Sequence, residues 1–474
     1  MQVYSEIYRE EFQCFTFAFD ADVVDDPEPY RSLVLERQRC LAKQASIAQA
    51  QLTGGRRRRQ INEHAKKHED ITNEYFGTPA VYDGAGVLLE SRTKPTVSKP
   101  EFFRRFRMSP FLFESIHDDI KDPEYGCSIF MGRKDAVGRS GASSMQRMVA
   151  VFRQLAYGTS ADSVWEYTGV RQETARKCLN SFCKFIIRAY GPEFLGRWNK
   201  GEMEAEMKVN ETRGFPGMLG SIDCCHWEWK NCPIAWQGMY QDRNKKRSIV
   251  AEAIAGHDTY IFQAFVGLPG SLNDINIMGR TDTQRKYMHS AAIDVKFKLA
   301  SQEFTGAYFL ADGIYPDYPY LMKTIPEPVN RKQKLFAQTQ EGVRKDVERA
   351  FGRLHAKWHI LKVAGRSHKL KYLKNIWLAC IILHNMTLRD QQSAVLERTE
   401  ERVSVAAAAV DIAVEDESGV LGECETLRDE AFFASHSYEG ILGKRKHMEN
   451  IGICHLMQQA LVEHVWLKFG SNAT

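Results

Sequence analysis

The sequence predicts an α/β protein: a layered domain on a mixed sheet, preceded by an all-helical region. Three observations lead there. Phe215 to Phe309 carries short apolar runs of strand length, broken by turn residues. Val343, Val347, Phe351, Leu354 and Trp358 then mark a strongly amphipathic helix. Upstream, Ser144 to Tyr190 repeats apolar residues at helical spacing. Strands followed by a helix, a strand and another helix make a layered α/β architecture with a mixed sheet.

At 474 residues the chain has room for two or three domains and an ample core. The formal net charge of +4 says little, but its distribution says more. Between Arg31 and Lys67 ten Lys/Arg face two acids, and between Glu397 and Glu430 eleven acids face three arginines. A basic arm for an anionic partner and a solvated acidic linker fit this asymmetry. The eleven cysteines are scattered, and Met1-Gln-Val-Tyr-Ser-Glu6 lacks the charged and apolar regions of a leader, so reduced thiols are expected. The longest apolar run, Ile376 to Leu383, is far shorter than the roughly 20 residues that span a bilayer. No membrane partner is expected.

Taken in order, Tyr30 to Gln51 has helical spacing, Gly54-Gly55 breaks it, and Arg56 to Arg59 follow. Four arginines read as a solvated tail, a nuclear import signal or a phosphate-contacting arm. Thr78 to Pro100 reads as linker. Phe102, Phe103, Phe106, Phe111, Phe113 and Ile116 predict two short helices hinged at Ser109-Pro110, their rings packed in a core. Met148, Val149, Phe152, Leu155 and Ala156 give a helix ended by Gly158, and Ser160 is placed to cap a short second one. After Gly169 a third helix runs from about Gln172 to Arg188. Its apolar face is Ala175, Cys178, Leu179, Phe182, Phe185 and Ile186; the other shows Arg171, Gln172, Thr174, Arg176, Lys177 and Asn180. That polar, basic face suits phosphates and base edges, and the three helices suggest a helix-turn-helix unit.

Met218 to Asp223, Ser248 to Gly256 and Tyr260 to Leu268 are the expected strands, the last two joined by the turn Gly256-His-Asp-Thr259. Asn273 or Asp274 caps a short helix, and Ala307 to Asp312 is a further buried strand. Leu373 to Met386 is apolar nearly all round and must be buried. Ala406 to Ala409 and the acidic run suggest a disordered or weakly helical tail, with helix returning within Glu439 to Phe469.

Asp223 and Asp312 are each read as closing a strand, a costly place for a carboxylate unless it is paired or binds a cation. Ligands bind outside strand carboxyl ends in open α/β sheets. Glu348 lies beside the apolar stripe of the late helix, with Gly352 one turn on, among Arg344, Lys345, Arg349 and Arg353. Taken singly, Asp312 reads as a turn cap and Glu348 as the partner of Arg344 or Arg349. Taken together, the three acids suit Mg²⁺, which prefers oxygen ligands. Two such ions about 3.5–4 Å apart serve phosphoryl transfer, with the arginines on phosphate.

Gly220-Ser-Ile-Asp-Cys-Cys-His-Trp227 and Leu268-Pro-Gly-Ser-Leu-Asn-Asp-Ile-Asn276 resemble the nuclease of PIF/Harbinger-type transposases, the plant transposon protein family. So do Leu310-Ala-Asp-Gly-Ile-Tyr-Pro316, Lys345-Asp-Val-Glu-Arg-Ala-Phe-Gly352 and Cys380-Ile-Ile-Leu-His-Asn-Met386, and Phe102 to Met108 resembles a segment upstream of it. The resemblance covers roughly 100 to 390 and implies an RNase H-like fold with a DDE triad, Asp223, Asp312 and Glu348, as catalytic and metal residues. The 35 residues between Asp312 and Glu348 fit the spacing common in such enzymes. It implies a metal-dependent endonuclease, with Mg²⁺ or Mn²⁺, that cuts DNA at terminal inverted repeats and joins the ends to target DNA. The expected partners are double-stranded DNA, a Myb-like accessory protein and further copies of the chain, in the nucleus. DNA contacts are assigned to Arg171, Gln172, Arg176, Lys177, Arg344, Lys345, Arg349 and Arg353.

The expected division is a basic arm over 1–95, a helical DNA-binding domain over 96–200, the nuclease over 210–390, and an acidic linker with a helical tail over 391–474. Cys224, Cys225, His226 and Cys232 lack the paired spacing of a structural zinc site and read as small buried residues, with His226 bordering the metal site. Asp274 reads as a helix cap or auxiliary acid, His384 and Asn385 as satisfied polar groups, and Asp282 and Asp317 as turn residues. Without a Walker-type loop, ATP is not implied. Two alternatives to a transposase stay open: a domesticated descendant that binds DNA or protein partners without cutting, and a nuclease that cuts without joining.

Overall fold

The structure, a computed structural model, describes residues 63–77, 81–82, 88–90, 94–132, 141–196, 200–272, 277, 280–281, 283–288, 290–408 and 451–470. The expectations for Tyr30 to Gln51, Arg56 to Arg59, Asp274, Asp282 and the acidic run after Ala408 fall outside these residues. The chain divides into two compact units, one within 1–97 and 135–140, the other within 98–134 and 141–474. The first holds helix α1 (Glu63–Tyr75) and a two-stranded ladder of β1 (Val81–Tyr82) and β2 (Leu88–Glu90).

The second unit opens with α2 (Lys99–Phe106) and α3 (Pro110–Ile120), broken where expected. Ser98 and Glu101 form a capping box for α2, and the Ser109 side chain caps α3 with Pro110 at its first position. The rings of Phe102, Phe106, Phe113, Phe152 and Phe182 pack edge-on or tilted on one another and build core, but Phe111, expected there too, is 76% exposed and Phe103 is half-buried. Next come α4 (Ser144–Tyr157), α5 (Val164–Thr168) and α6 (Gln172–Phe194). Ser143 and Gln146 box the start of α4, and Gly158, at φ 64°, ends it in the left-handed conformation that glycine adopts without strain. The α6 face of Ala175, Cys178, Phe182, Phe185 and Ile186 is buried as its spacing predicts, with Leu179 only half-buried at its border. Buried Gln146 donates to Thr168 O and Gln154 to Ala175 O, tying α4 to its two successors.

After α7 (Lys200–Thr212) the sheet begins with β3 (Met218–Glu228), β4 (Ser248–Ala255) and β5 (Ile261–Pro269). A small hairpin follows, β6 (Lys296–Leu299) with β7 (Gln302–Thr305), then β8 (Tyr308–Leu310) and β9 (Leu321–Met322). The sheet order is β5-β4-β3-β8-β9, antiparallel across β3, β4 and β5 and parallel across β3, β8 and β9. It is a mixed sheet flanked by helices.

The strand bearing Asp223 does not stop there. Asp223 to Glu228 pair residue by residue with Ala253 back to Ser248, so β3 runs five residues further than its apolar run suggests. Only one side of that extension is buried, which hides it from a search for apolar residues. Near its start Gly220, at φ 156°, sits at a register break with β8, and a Cβ there would lie 2.6 Å from Ala255 O.

Each sheet face has its own core. Leu219, Ile222, Ile254, Phe309, Ala311 and Leu321 pack with Met203 of α7, Tyr287 and Ile293. On the other face Met218, Tyr308, Leu310 and Met322 meet Phe336 and Val343 of α8 (Arg331–Lys357). Helix α9 (Leu370–Ala408) brings Trp377 against Trp227 and Phe351 on that second face. Helix α10 (Ile451–Phe469) closes the α8 core with Met457, Leu461, Val462 and Val465. Helix α8 begins twelve residues before Val343, because Asn330 and Gln333 form a capping box and Phe336, Ala337 and Gln340 are already buried.

Candidate acidic site and its surroundings

Parallel pairing aligns Ser221 of β3 with Leu310 of β8, and each predicted aspartate stands two residues beyond its member of that pair. Side chains alternate along a strand. The Ser221 hydroxyl donates to Val343 O at 3.5 Å, and Cys225 Sγ lies 4.0 Å from His355 Nε2, so the β3 face that Asp223 shares turns toward α8. Tyr308 and Leu310 pack on the α8 side and Ala311 on the other, which puts Asp312 at the α8 side in turn. Asp223, within β3, and Asp312, two residues past the end of β8, are therefore level at one face of the sheet.

Glu348 lies on the α8 flank that also bears Arg344 and, two turns on, His355. That flank is the one reaching Cys225. Asp346, Arg349 and Arg353 occupy the opposite flank, where Asp346, with no exposed surface, is held by Arg349 and, at 2.6 Å, by Arg213. Arg353 donates to Thr259 Oγ1 at 2.9 Å and Asp258 O at 3.2 Å. Of the four cations expected beside Glu348, only Arg344 touches it; Lys345 is exposed.

Both single-residue alternatives for the acids are realised. Asp312 is half-buried and its Oδ1 accepts from the Gly313 amide at 2.7 Å. Glu348, its side chain 46% exposed, pairs with Arg344 at 3.0 Å. Asp223 is half-buried and its Oδ1 accepts from the Cys224 amide at 2.8 Å. Asp223, Asp312 and Glu348 do not form a group with ligand atoms within 4.8 Å of one another; among the described residues Glu206, His257 and Asp258 do.

That second group was not foreseen, since the sequence marks His257 and Asp258 only as turn residues and gives no spacing that links them to Glu206 on α7. His257 Nδ1 lies 2.7 Å from Glu206 Oε2, and the His257 amide donates to Oε1 at 2.8 Å. The hydrogen bond to Glu206 pushes the imidazole above its usual range. The turn itself is as expected, with Gly256 N donating to Tyr260 O at 3.0 Å.

The cysteine expectation needs correcting in part. Cys232 is buried, but Cys224 and Cys225 are half-buried and His226 is exposed, because this half of β3 has only one covered side. Burial still pushes the Cys225 thiol up to about 12. Cys224 Sγ lies 3.2 Å from the Tyr315 hydroxyl. Asn385 is a satisfied polar group, as expected, but His384 is satisfied only at Nε2, its buried Nδ1 having no hydrogen-bond partner among the described residues. Asn385 accepts from Ile261 N at 3.0 Å and donates to Phe194 O and Ile261 O at 2.8 Å. His384 Nε2 donates to Thr259 O at 3.0 Å, and burial pushes its pKa down to about 3. Arg171, Gln172, Arg176 and Lys177 are all exposed at the start of α6, with Lys177 3.6 Å from Glu173.

The profile of the plant transposon protein family matches residues 193–395, which take in β3, all three acids and the buried part of α9. Residues 193–395 belong to the plant transposon protein family. Two Arabidopsis thaliana proteins are similar to the chain. The protein Antagonist of Like Heterochromatin Protein 1 is 26% identical over 310 residues, 62% of this chain and 76% of that protein. Protein ALP1-like is 22% identical over 300 residues, 61% of this chain and 73% of that protein. No solved structure matches. No helix among the described residues is long and apolar enough to cross a membrane. The plant transposon domain thus holds the sheet, while α10 lies beyond the matched residues.

Proposed function

We propose that the chain is a transposase-derived nuclear protein that engages DNA or protein partners through a retained nuclease scaffold, without cutting. The observation that carries this is that the trio is not gathered into one ligand group: the ligand atoms of Asp223, Asp312 and Glu348 do not all lie within 4.8 Å of one another. The similar protein named as an antagonist of a heterochromatin protein supports a role toward a chromatin partner. The exposed Arg171, Gln172, Arg176 and Lys177 are the proposed duplex contacts, with Arg344 and the exposed Lys345 beside the cleft and Arg349 and Arg353 on the other flank of α8.

A second reading, the DDE transposase, is favoured by a specific observation. Asp223 on β3 and Asp312 just past the end of the parallel β8 stand level, at the sheet face crossed by the helix that carries Glu348. An RNase H-like core is part of this reading, and the three antiparallel strands followed by two parallel ones support it. The all-oxygen donor set fits Mg²⁺ or Mn²⁺, which would supply a Lewis acid for phosphoryl transfer. The chain's own part would be to hold the carboxylates on the sheet and helix, with Arg344 released toward phosphate.

One experiment separates the two. Purified full-length chain is assayed for duplex binding and for Mg²⁺- or Mn²⁺-dependent cleavage of inverted-repeat DNA, beside Asp223→Ala and Glu348→Ala. Binding without cleavage is the expected result. Metal-dependent cleavage that both variants abolish would replace it with the transposase reading. A Myb-like accessory and self-association complete the proposal, and co-purification and light scattering test them.

A further inference from the structure

We infer that Glu206, His257 and Asp258 form a Zn²⁺ site, separate from the acid trio and with an open coordination position. One donor comes from α7 and two from the β4–β5 turn, and their ligand atoms all lie within 4.8 Å of one another. Three protein ligands of the N/O type with a fourth position left to solvent is the arrangement of reactive rather than closed zinc sites. The hydrogen between His257 Nδ1 and Glu206 Oε2 occupies the place of the ion. Tetrahedral Zn–N and Zn–O bonds of about 2.0–2.2 Å put the two ligand atoms about 3.3–3.6 Å apart, so the present 2.7 Å separation must open by about 0.6–0.9 Å, which the exposed His257 side chain can supply.

The ligands are already oriented by groups the metal would not displace. Glu206 is 5% exposed, and its Oε1 accepts from the His257 amide at 2.8 Å and Asn210 Nδ2 at 3.1 Å, leaving Oε2 toward the imidazole. Asp258 Oδ1 accepts from Tyr260 N at 2.8 Å and Oδ2 from Gln392 Nε2 at 3.2 Å; each carboxylate oxygen keeps a lone pair for a cation. Partners of this kind are what fix ligand geometry in metal sites. Of the nearby cations, Arg213 and Arg349 are both paired with the buried Asp346, and Arg353, which donates to Asp258 O at 3.2 Å and Thr259 Oγ1 at 2.9 Å, is the one whose charge the ion would sit beside.

The open position faces a cavity of about 440 Å³ lined by His257, Thr259, Arg349, Gly352, Arg353 and Ala356. An ion at His257 would sit at its wall, with two guanidinium groups beside it. The ligand class this suits is an anion, such as a phosphate, bound to zinc and arginine together.

The site is distinct from the DDE trio: Asp223 pairs with Ala253 on β4, and the turn lies beyond the end of that strand. The test is Zn²⁺ titration of the full chain by calorimetry, with Co²⁺ absorption as a report on coordination. The set is wild type, His257→Gln, Asp258→Asn and Asp223→Asn. One equivalent is expected to bind, at least tenfold more weakly in His257→Gln and Asp258→Asn, with Asp223→Asn unchanged; Co²⁺ bands should vanish only in the first two. Zn²⁺ should raise the wild-type melting temperature and leave that of folded His257→Gln in place. If His257→Gln does not fold, the exposed-turn variant Asp258→Asn decides. Absence of binding, or binding lost in Asp223→Asn but kept in the turn variants, overturns the site without touching the proposed function.

Discussion

Helix α10 lies beyond the matched family residues, yet the fold cannot close without it. Leu461 has no exposed surface and packs with Phe215, Met218, Tyr308, Leu310, Phe336 and Val343, which span β3, β8 and α8. Replacing it with alanine removes buried methyl groups and leaves a cavity among elements that cannot all collapse inward. Such changes cost about 2–5 kcal/mol. Leu467, on the same helix, is 71% exposed, and Leu467→Ala is expected to stay within about 0.5 kcal/mol. The pair separates packing from helix propensity, which the two substitutions change equally.

The assay is urea unfolding of the full chain, followed by tryptophan fluorescence. With a denaturant slope of about 3 kcal/mol per molar, a loss of about 3 kcal/mol lowers the midpoint by about 1 M. Truncation after residue 450 extends the argument. Met457, Leu461, Val462 and Val465 are each buried, and about 1.5–3 kcal/mol apiece gives an upper bound of about 6–12 kcal/mol. That rivals the about 5–15 kcal/mol of a whole domain, so the truncated chain should be insoluble or molten. Equal midpoints for Leu461→Ala and Leu467→Ala would refute the reasoning.

Three further outcomes are expected. Asp346→Ala should cost about 1.5–3 kcal/mol in urea unfolding, because it removes the fully buried carboxylate that holds Arg213, 24% exposed, whereas Arg349, 56% exposed, can turn to solvent. Lys357→Met should raise stability at pH 7: burial holds the Lys357 pKa down to about 7, below its unfolded 10.5, so the unfolded chain binds the extra proton and wild-type stability falls between pH 10 and 7. The variant should lose that slope in unfolding curves across the window. Arg176→Ala should weaken duplex binding evenly across sequences and reduce the slope of log affinity on log salt by about 1, measured by fluorescence anisotropy.

The sheet was legible where periodicity and turns agreed. Ser248 to Leu268 shows two apolar runs around Gly256-His-Asp-Thr259, and the ladder forms there. The far half of β3 was hidden because His226 and Glu228 face solvent, so no apolar run marks it. The start of α8 was hidden for a related reason: its first turns bury Gln340, whose amide donates to Ala311 O and Met322 O, instead of an apolar stripe. Asp223 and Asp312 could be paired from sequence by their places relative to strand ends, but the arginines around Glu348 could not be apportioned. Residues 348 and 349 are adjacent in sequence and lie on different flanks of the helix, and only packing decides which flank meets the sheet. The Glu206–His257 contact, between residues 51 apart, has no local signal at all.

Whether Arg344 bars the acid site from metal can be weighed directly. Its guanidinium sits where a cation would be needed, 3.0 Å from Glu348, and its side chain is 15% exposed against 46% for the carboxylate. Helical i,i+4 ion pairs contribute about 0.3–0.5 kcal/mol, and an arginine placed before its glutamate is the weaker order. Freeing Glu348 therefore costs about twofold in a binding constant, a small barrier beside what three carboxylates offer a divalent ion. Arg344→Ala is expected to raise Mn²⁺ affinity by about two- to threefold, read by calorimetry against Asp223→Asn as the background. A gain above tenfold would mean that the arginine is a true block, and a loss would mean that it orients Glu348 for the ion. On the expected result, the cutting and non-cutting readings are not separated by this ion pair. They are separated by whether Asp223 on β3 and Asp312 just past β8 can be met by Glu348 when DNA brings its phosphates to the cleft.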